Sequence, residues 1–244
     1  MQNSKFYDNV SVFYDEMISF DKALERRISA LKNFITDEKD AADLGCGTGI
    51  DSIALSKLGL KVTAIDNSSS MIEKARSNAI SEKLEINFIK ASLTSLPENL
   101  HSQFDMAVSL GNTLANISKD LLEQSINNIA LILKSGGKAV VQILNYNLFL
   151  KEENMQINKF EDDKNIIERY YERDNDKLIF CINKTDKSNK TRSTIRTDIY
   201  PHLPEEIVFH FNKYNFSAKI FGGLDKSEFV EAKSKDLILL AKKR

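Results

Sequence analysis

Ala41-Ala42-Asp43-Leu44-Gly45-Cys46-Gly47-Thr48-Gly49, with Asp66 closing the next apolar run Leu60-Lys61-Val62-Thr63-Ala64-Ile65, decides the fold of this chain. The first run reads as a buried strand, the glycines as a tight turn, and Ile50-Asp51-Ser52-Ile53 as the start of a helix. The second run reads as a neighbouring strand with a carboxylate at its tip. Strand, glycine turn, helix and parallel strand make a nucleoside-binding corner of a doubly wound sheet.

Glycine spacing narrows what that corner holds. It runs G-x-G-x-G, and Ile50 stands where a dinucleotide fingerprint has its third glycine. Asp43, two residues before Gly45, would repel a pyrophosphate but suits an ammonium or sulfonium group. Asp66 falls 21 residues after Gly45, in register to accept ribose hydroxyls. A cationic amino-acid head joined to one ribose describes S-adenosylmethionine, with S-adenosylhomocysteine as the product; this is the cofactor expected. Asp43 is expected to take its ammonium, directly or through water, and N–H groups around Gly45, Gly47 and Gly49 its carboxylate. Asp66 and Asn67 are expected on the ribose, and Met71 against the adenine.

The same residues resemble the class I S-adenosylmethionine-dependent methyltransferases, and within them the glycine and sarcosine N-methyltransferases. The likeness is carried by Gly47-Thr48-Gly49-Ile50-Asp51-Ser52-Ile53, Val62-Thr63-Ala64-Ile65-Asp66-Asn67-Ser68 with Met71, Phe104-Asp105 and Leu110-Gly111-Asn112-Thr113, with Asn145-Tyr146 as a weaker match. It covers about residues 39–147. The resemblance implies that Asn112, after the fourth strand, contacts the acceptor, and that Tyr7 and Tyr14 close over the cofactor. It implies adenine contacts from Ala91, Ser92 and Leu93, although Ser92 stands where family members commonly carry an acid. Leu110 belongs to the same cofactor set. In the glycine enzymes an arginine before the Asn-Tyr pair clamps the substrate carboxylate; here that residue is Leu144, which cannot make a bidentate pair.

Two readings of the acceptor follow. Arg169, Arg173, Arg192 or Arg196 could supply the missing clamp, or Tyr146, Tyr170, Tyr171 and Tyr200 could wall a pocket for an amine by cation–π contact. The substrate residues expected are Asn112, Asn145, Tyr146, Arg169, Tyr171 and Arg196, with Asn112 and Tyr7 positioning the reaction. A sulfonium carries an already activated methyl group, so the protein mainly aligns the nucleophile and excludes water. A neutral amine needs no general base, which favours methyl transfer to nitrogen. A small-molecule O-methyltransferase, or a protein that binds S-adenosylmethionine as a sensor or scaffold without turnover, are the alternatives.

Composition sets the class. Hydrophobic residues make up 42% and charged residues 28%, ordinary for a globular chain. A net charge of −1 argues against nucleic acid as a partner. No apolar run is long enough for a membrane span, and the first residues lack an apolar signal core. Two cysteines and three scattered histidines form no redox or metal motif, so no metal is expected and the cytoplasm is the expected location.

Periodicity predicts helices over 8–17 and 22–36, then strands near 40–44, 61–65, 85–89, 105–109 and 139–144 alternating with helices. The fold class expected is α/β, a doubly wound, mostly parallel seven-stranded sheet. Residues 1–38 form a helical segment over the cofactor, and 39–150 the cofactor-binding core. Residues 151–203 form an antiparallel β insertion, and 204–244 complete the sheet. The insertion opens with a polar linker over 151–164. Strands over 166–173, 177–184 and 191–200 follow, the first turn at Asp174-Asn175-Asp176. It is expected to cap the substrate pocket; a dimerisation flap, and hence a homo-oligomer, is its other reading.

Overall fold

A computed structural model of the chain describes residues 2–151, 156–174 and 177–244. Helices α1 (Gln2–Ile18) and α2 (Phe20–Leu31) lead into strand β1 (Asp40–Leu44). Then come α3 (Ile50–Lys57), β2 (Lys61–Asp66), α4 (Ser69–Ser81), β3 (Asn87–Lys90), β4 (Phe104–Ser109), α5 (Lys119–Ile132), β5 (Leu133–Leu144) and a short α6 (Tyr146–Phe149). Four strands follow, β6 (Gln156–Glu161), β7 (Asn165–Asp174), β8 (Lys177–Asp186) and β9 (Arg192–Ile199). The chain ends with α7 (Pro204–Lys213), β10 (Phe216–Phe221) and β11 (Asp236–Lys243). Among the described residues no helix is long and apolar enough to cross a membrane.

Seven strands form one sheet in the order β10-β11-β5-β4-β1-β2-β3. The five from β3 to β5 run parallel, and β11 and β10 close the edge antiparallel. Ala41, Ala42, Asp43 and Leu44 are all buried because a central parallel strand is covered on both faces. Strand order reverses between β1 and β4, so the loops after these strands diverge and leave a crevice at their carboxyl ends. Apolar faces of α5 and α7 pack against one side of the sheet, those of α2 and α3 against the other.

The inserted strands make a separate antiparallel sheet, β6-β7-β8-β9. Three strands are expected from the sequence; the structure has four, because Gln156–Glu161 within the expected linker pairs with β7. Its exposed Lys159 and Glu161 mask it as a strand, yet charged residues are what an unprotected sheet edge tolerates. Residues 152–155 of that linker, and 175–176 of the expected turn, lie outside the described residues. Strand five also starts earlier than expected, at Leu133, since Gly136-Gly137 fall inside it beside an irregularity in its pairing with β4. The helix expected over 22–36 stops at Leu31, in a 3-10 turn over Lys32–Phe34.

Helix α1 lies between the two sheets. A triplet repeats at seven-residue spacing, Phe6-Tyr7-Asp8 and Phe13-Tyr14-Asp15, and gives the helix three faces about 100° apart. Phe6, Val10, Phe13 and Met17 are buried against Ile167 and Ile182 of the small sheet. Each such side chain contributes about 1.5–3 kcal/mol of burial. Asp8 accepts from the Ser68 hydroxyl (2.6 Å), and Asp15 from Asn78 Nδ2 (2.9 Å) and Lys74 Nζ (3.1 Å). The two tyrosines face the crevice.

Candidate active site

A cavity of about 330 Å³ opens at the carboxyl ends of β1, β2 and β4, roofed by α1 and α2. Tyr7, Tyr14, Gly45, Gly47, Asp66, Asn67, Met71, Ala91, Ser92, Leu93 and Leu110, all expected from sequence, line it together. Two of the turn's glycines are there for different steric reasons. Gly45 has φ +78°, and a Cβ would sit 2.3 Å from Thr113 Cγ2; Gly47 has φ +53°, and its Cβ would meet nothing within 4 Å. Gly45 thus allows the turn to close on the loop after β4, whereas Gly47 keeps cavity space empty.

Asp66 is fixed by the turn itself. Its Oδ2 accepts the Gly47 N–H at 2.9 Å and its Oδ1 the Ser68 N–H at 2.8 Å. Each oxygen keeps a second lone pair for a ligand hydroxyl. Burial raises the Asp66 pKa, opposed by the Ser68 and Gly47 N–H groups. Ser68 caps α4, its hydroxyl accepting from Met71 N at 3.1 Å, and this fixes Met71 in the wall.

Two expectations for the cofactor need correction. Asp43 does not line the cavity: it is 1% exposed on β1, and its Oδ2 accepts the Ser52 hydroxyl of α3 at 2.5 Å. Desolvation raises its pKa well above the ordinary carboxylate value, and the nearby Asp51 adds to this. Nor are the glycine N–H groups available. Gly45 donates to Ile65 O (2.8 Å), Gly47 to Asp66, and Gly49 to Cys46 O (2.9 Å), so the turn consumes its own donors. Ser92 lines the cavity as expected, its hydroxyl also within hydrogen-bond distance of Thr94 Oγ1 at 2.7 Å.

Charge at that end of the cavity comes instead from a pair the sequence does not single out. Arg27 of α2 and Asp51 of α3 both line the cavity, with Nε and Oδ1 2.6 Å apart. Arg27 also donates to Gln142 Oε1 at 3.4 Å, and Gly111 N–H reaches the same oxygen at 3.2 Å. A cation and an anion side by side on one wall complement a zwitterionic amino-acid head.

At the other end, the loop after β4 turns through two left-handed residues, Gly111 (φ 65°) and Asn112 (φ 68°). Asn112 Nδ2 donates to the Tyr146 hydroxyl at 2.8 Å and reaches the Tyr171 hydroxyl at 3.4 Å, while Oδ1 accepts the Leu144 N–H at 3.0 Å. Asn112 thus joins the core to the small sheet, standing behind the cavity wall formed by Leu110, Gly111 and Thr113. Tyr7 donates to Asn116 Oδ1 at 3.1 Å, bringing a second asparagine to the site. Burial raises the Tyr7 and Tyr146 phenols and pushes Tyr171 up to about 12, so all three stay protonated near neutral pH.

The remaining substrate residues divide by sheet parity. Ile167 and Tyr171 of β7 are buried, with Arg169 between them on the same inner face. Arg196 stands on the outer face, paired with Glu172 at 3.1 Å, and so does not reach the cavity. Tyr170 shares that outer face, its hydroxyl bonded to Asn183 Nδ2 at 3.1 Å, so the four-tyrosine cage is not assembled. Asn145 also leaves the substrate set: fully buried, its Nδ2 ties down the loop before β11 through Glu231 O (2.7 Å) and Ser234 O (2.8 Å). Among the described residues no three His, Cys, Asp or Glu side chains gather as a metal site requires.

Comparison with known proteins agrees with this geometry. Residues 41–137 match the model of a methyltransferase domain. Over 124 residues the chain is 32% identical to the ribosomal protein L11 methyltransferase of Thermosipho melanesiensis, covering 50% of this chain and 45% of the relative. Over 122 residues it is 30% identical to human glycine N-methyltransferase, covering 44% and 41%. The match thus spans less than half the length of either relative. A crystal structure of an S-adenosylmethionine-dependent methyltransferase from Clostridium acetobutylicum superposes with a TM-score of 0.77 at 20% identity, over 97% of this chain and 98% of that one, which shows a common fold. Residues 41–137 thus form a methyltransferase domain, and the whole chain shares the fold of an S-adenosylmethionine-dependent methyltransferase.

Proposed function

We propose that the chain transfers a methyl group from S-adenosylmethionine to a nitrogen of a small-molecule acceptor. The observation that carries this reading is Asp66, held by two loop N–H groups with free lone pairs at the wall of a cavity whose other end holds the Arg27–Asp51 pair. In this reading Asp66 and Asn67 hold the ribose, Met71 and the Ala91–Leu93 segment hold the adenine, Arg27 takes the carboxylate and Asp51 the ammonium. Bound there, S-adenosylmethionine supplies a methyl carbon already activated on a positively charged sulfur.

The chain's own residues then align and enclose. Tyr7 and Tyr14 cover the cavity from α1 and keep water from the reacting atoms. Asn112 holds the Tyr146 and Tyr171 hydroxyls at the acceptor end as neutral donors or acceptors. Phenols whose ionisation is pushed upward offer no base near neutral pH, and an uncharged amine needs none; this favours nitrogen over oxygen. The two relatives differ in the acceptors they are named for, a ribosomal protein and glycine, so likeness alone does not set the acceptor. The test is release of S-adenosylhomocysteine with panels of small amines, small alcohols and phenols, and a ribosomal protein. Turnover confined to amines supports the reading. Turnover with hydroxyl or protein acceptors only, or none with any acceptor, contradicts it.

A further inference from the structure

Arg169 holds a half-buried guanidinium on the inner face of β7, behind the cavity wall, and among the described residues no carboxylate pairs with it. Its Nε donates to Asn158 Oδ1 at 2.6 Å. The groups it faces are the phenols of Tyr14, which lines the cavity, and Tyr171, which meets Asn112. The other cations of the insertion are differently placed. Arg192 and Arg196 pair with Glu168 and Glu172 on the outer face, and Lys184 stands over the Phe13 ring. A partly desolvated cation without a counter-charge is costly, and a guanidinium keeps a planar fork of donors for an anion. Leu144 leaves the strand-five position unable to supply such a fork.

We propose that Arg169 binds an anionic group of the methyl acceptor, which is therefore an amine that also carries a carboxylate or a phosphate. This rests on the methyltransferase reading above. Anchored through its anion on the inner face of the small sheet, the acceptor directs its neutral nitrogen toward the cavity. The nitrogen lone pair forms the new N–C bond, the C–S bonding pair stays on sulfur, and the nitrogen releases its extra proton to water. Atoms and charge balance with no further reactant.

The test uses the full chain saturated with S-adenosylhomocysteine, whose own binding is measured first. Acetate, methyl phosphate and ethylammonium are then titrated separately by calorimetry and ligand-observed NMR. One or both anions should bind, the tighter one identifying the anion class, and ethylammonium should bind more weakly. Arg169→Met should weaken the anion roughly tenfold or more, Arg169→Lys should restore part of the loss, and the outer-face control Arg196→Met should change nothing. Absence of anion binding to the wild-type complex overturns the proposal. So does binding that Arg169→Met leaves intact, or tighter binding of the ammonium probe. If S-adenosylhomocysteine itself fails to bind, the methyltransferase reading falls; if it binds and the anions do not, only the role of Arg169 falls.

Discussion

The Asp8 carboxylate accepts the Ser68 hydroxyl at 2.6 Å, and this contact fastens α1 to the first turn of α4 across the mouth of the cavity. Ser68 neighbours Asn67 and donates its backbone N–H to Asp66, so the lid and the proposed ribose site share one residue. Asp8→Ala should weaken S-adenosylhomocysteine binding roughly three- to tenfold, the range of a charged hydrogen bond discounted for exposure. Calorimetry checks the affinity, and faster hydrogen exchange over residues 2–18 checks the loosened helix. The Ser68 hydrogen bond holds the Asp8 pKa below its ordinary value. Its stabilising contribution is therefore present above the unfolded pKa and lost as pH falls through the lower folded one.

Gly45 and Gly47 should fail differently. Alanine at either costs about 1–2 kcal/mol of left-handed backbone, but only at Gly45 does the new Cβ strike Thr113. Gly45→Ala should lower Tm more, and adding Thr113→Ala should recover part of the loss. Gly47→Ala should cost cofactor affinity more than stability, because its Cβ enters the cavity. Thermal melts and calorimetry on the three variants separate the two effects.

Asp43 carries a charge that burial disfavours. With its folded pKa raised, its contribution to stability is fully present below the unfolded pKa and is lost as pH rises through the folded value. Asp43→Asn preserves the shape and a partner for Ser52 while removing the charge. The variant should gain stability relative to wild type at neutral pH, and the difference should shrink on mild acidification. Chemical denaturation across that pH range is the check.

Asn112 is tied to Tyr146, Tyr171 and the Leu144 N–H. Asn112→Ala leaves buried partners unsatisfied and should cost about 1–3 kcal/mol of stability. It should leave S-adenosylhomocysteine affinity within a few-fold while lowering turnover, because its contacts are all on the acceptor side. Unfolding curves, calorimetry and initial rates together test that division.

The cofactor corner was readable because glycine spacing and a strand-end carboxylate are local signals, and they fix Gly45, Gly47 and Asp66 within one βαβ unit. The direction of Asp43 is not legible in the sequence because β1 is buried on both faces, so no alternation tells which way a side chain points. Arg169 and Arg196 differ only in sheet parity, and a one-residue change of register would exchange their faces. The Arg27–Asp51 pair joins two separate helices, and nothing in either helix alone marks it. The repeated Phe-Tyr-Asp triplet was visible as paired tyrosines. Its aspartates gain meaning only once α4 lies beside α1.

Calorimetric titration of S-adenosylmethionine into wild type and Asp66→Asn is the most direct trial of all this. Asparagine keeps one accepting oxygen, so loss of one charge-assisted hydroxyl contact, about 1.5–3 kcal/mol, should weaken binding roughly ten- to a hundredfold. The Asn67 and Arg27 sides of the cavity would be left intact. Equal affinity in the two proteins would mean that no ribose rests on this carboxylate, and the placement of the cofactor would be wrong.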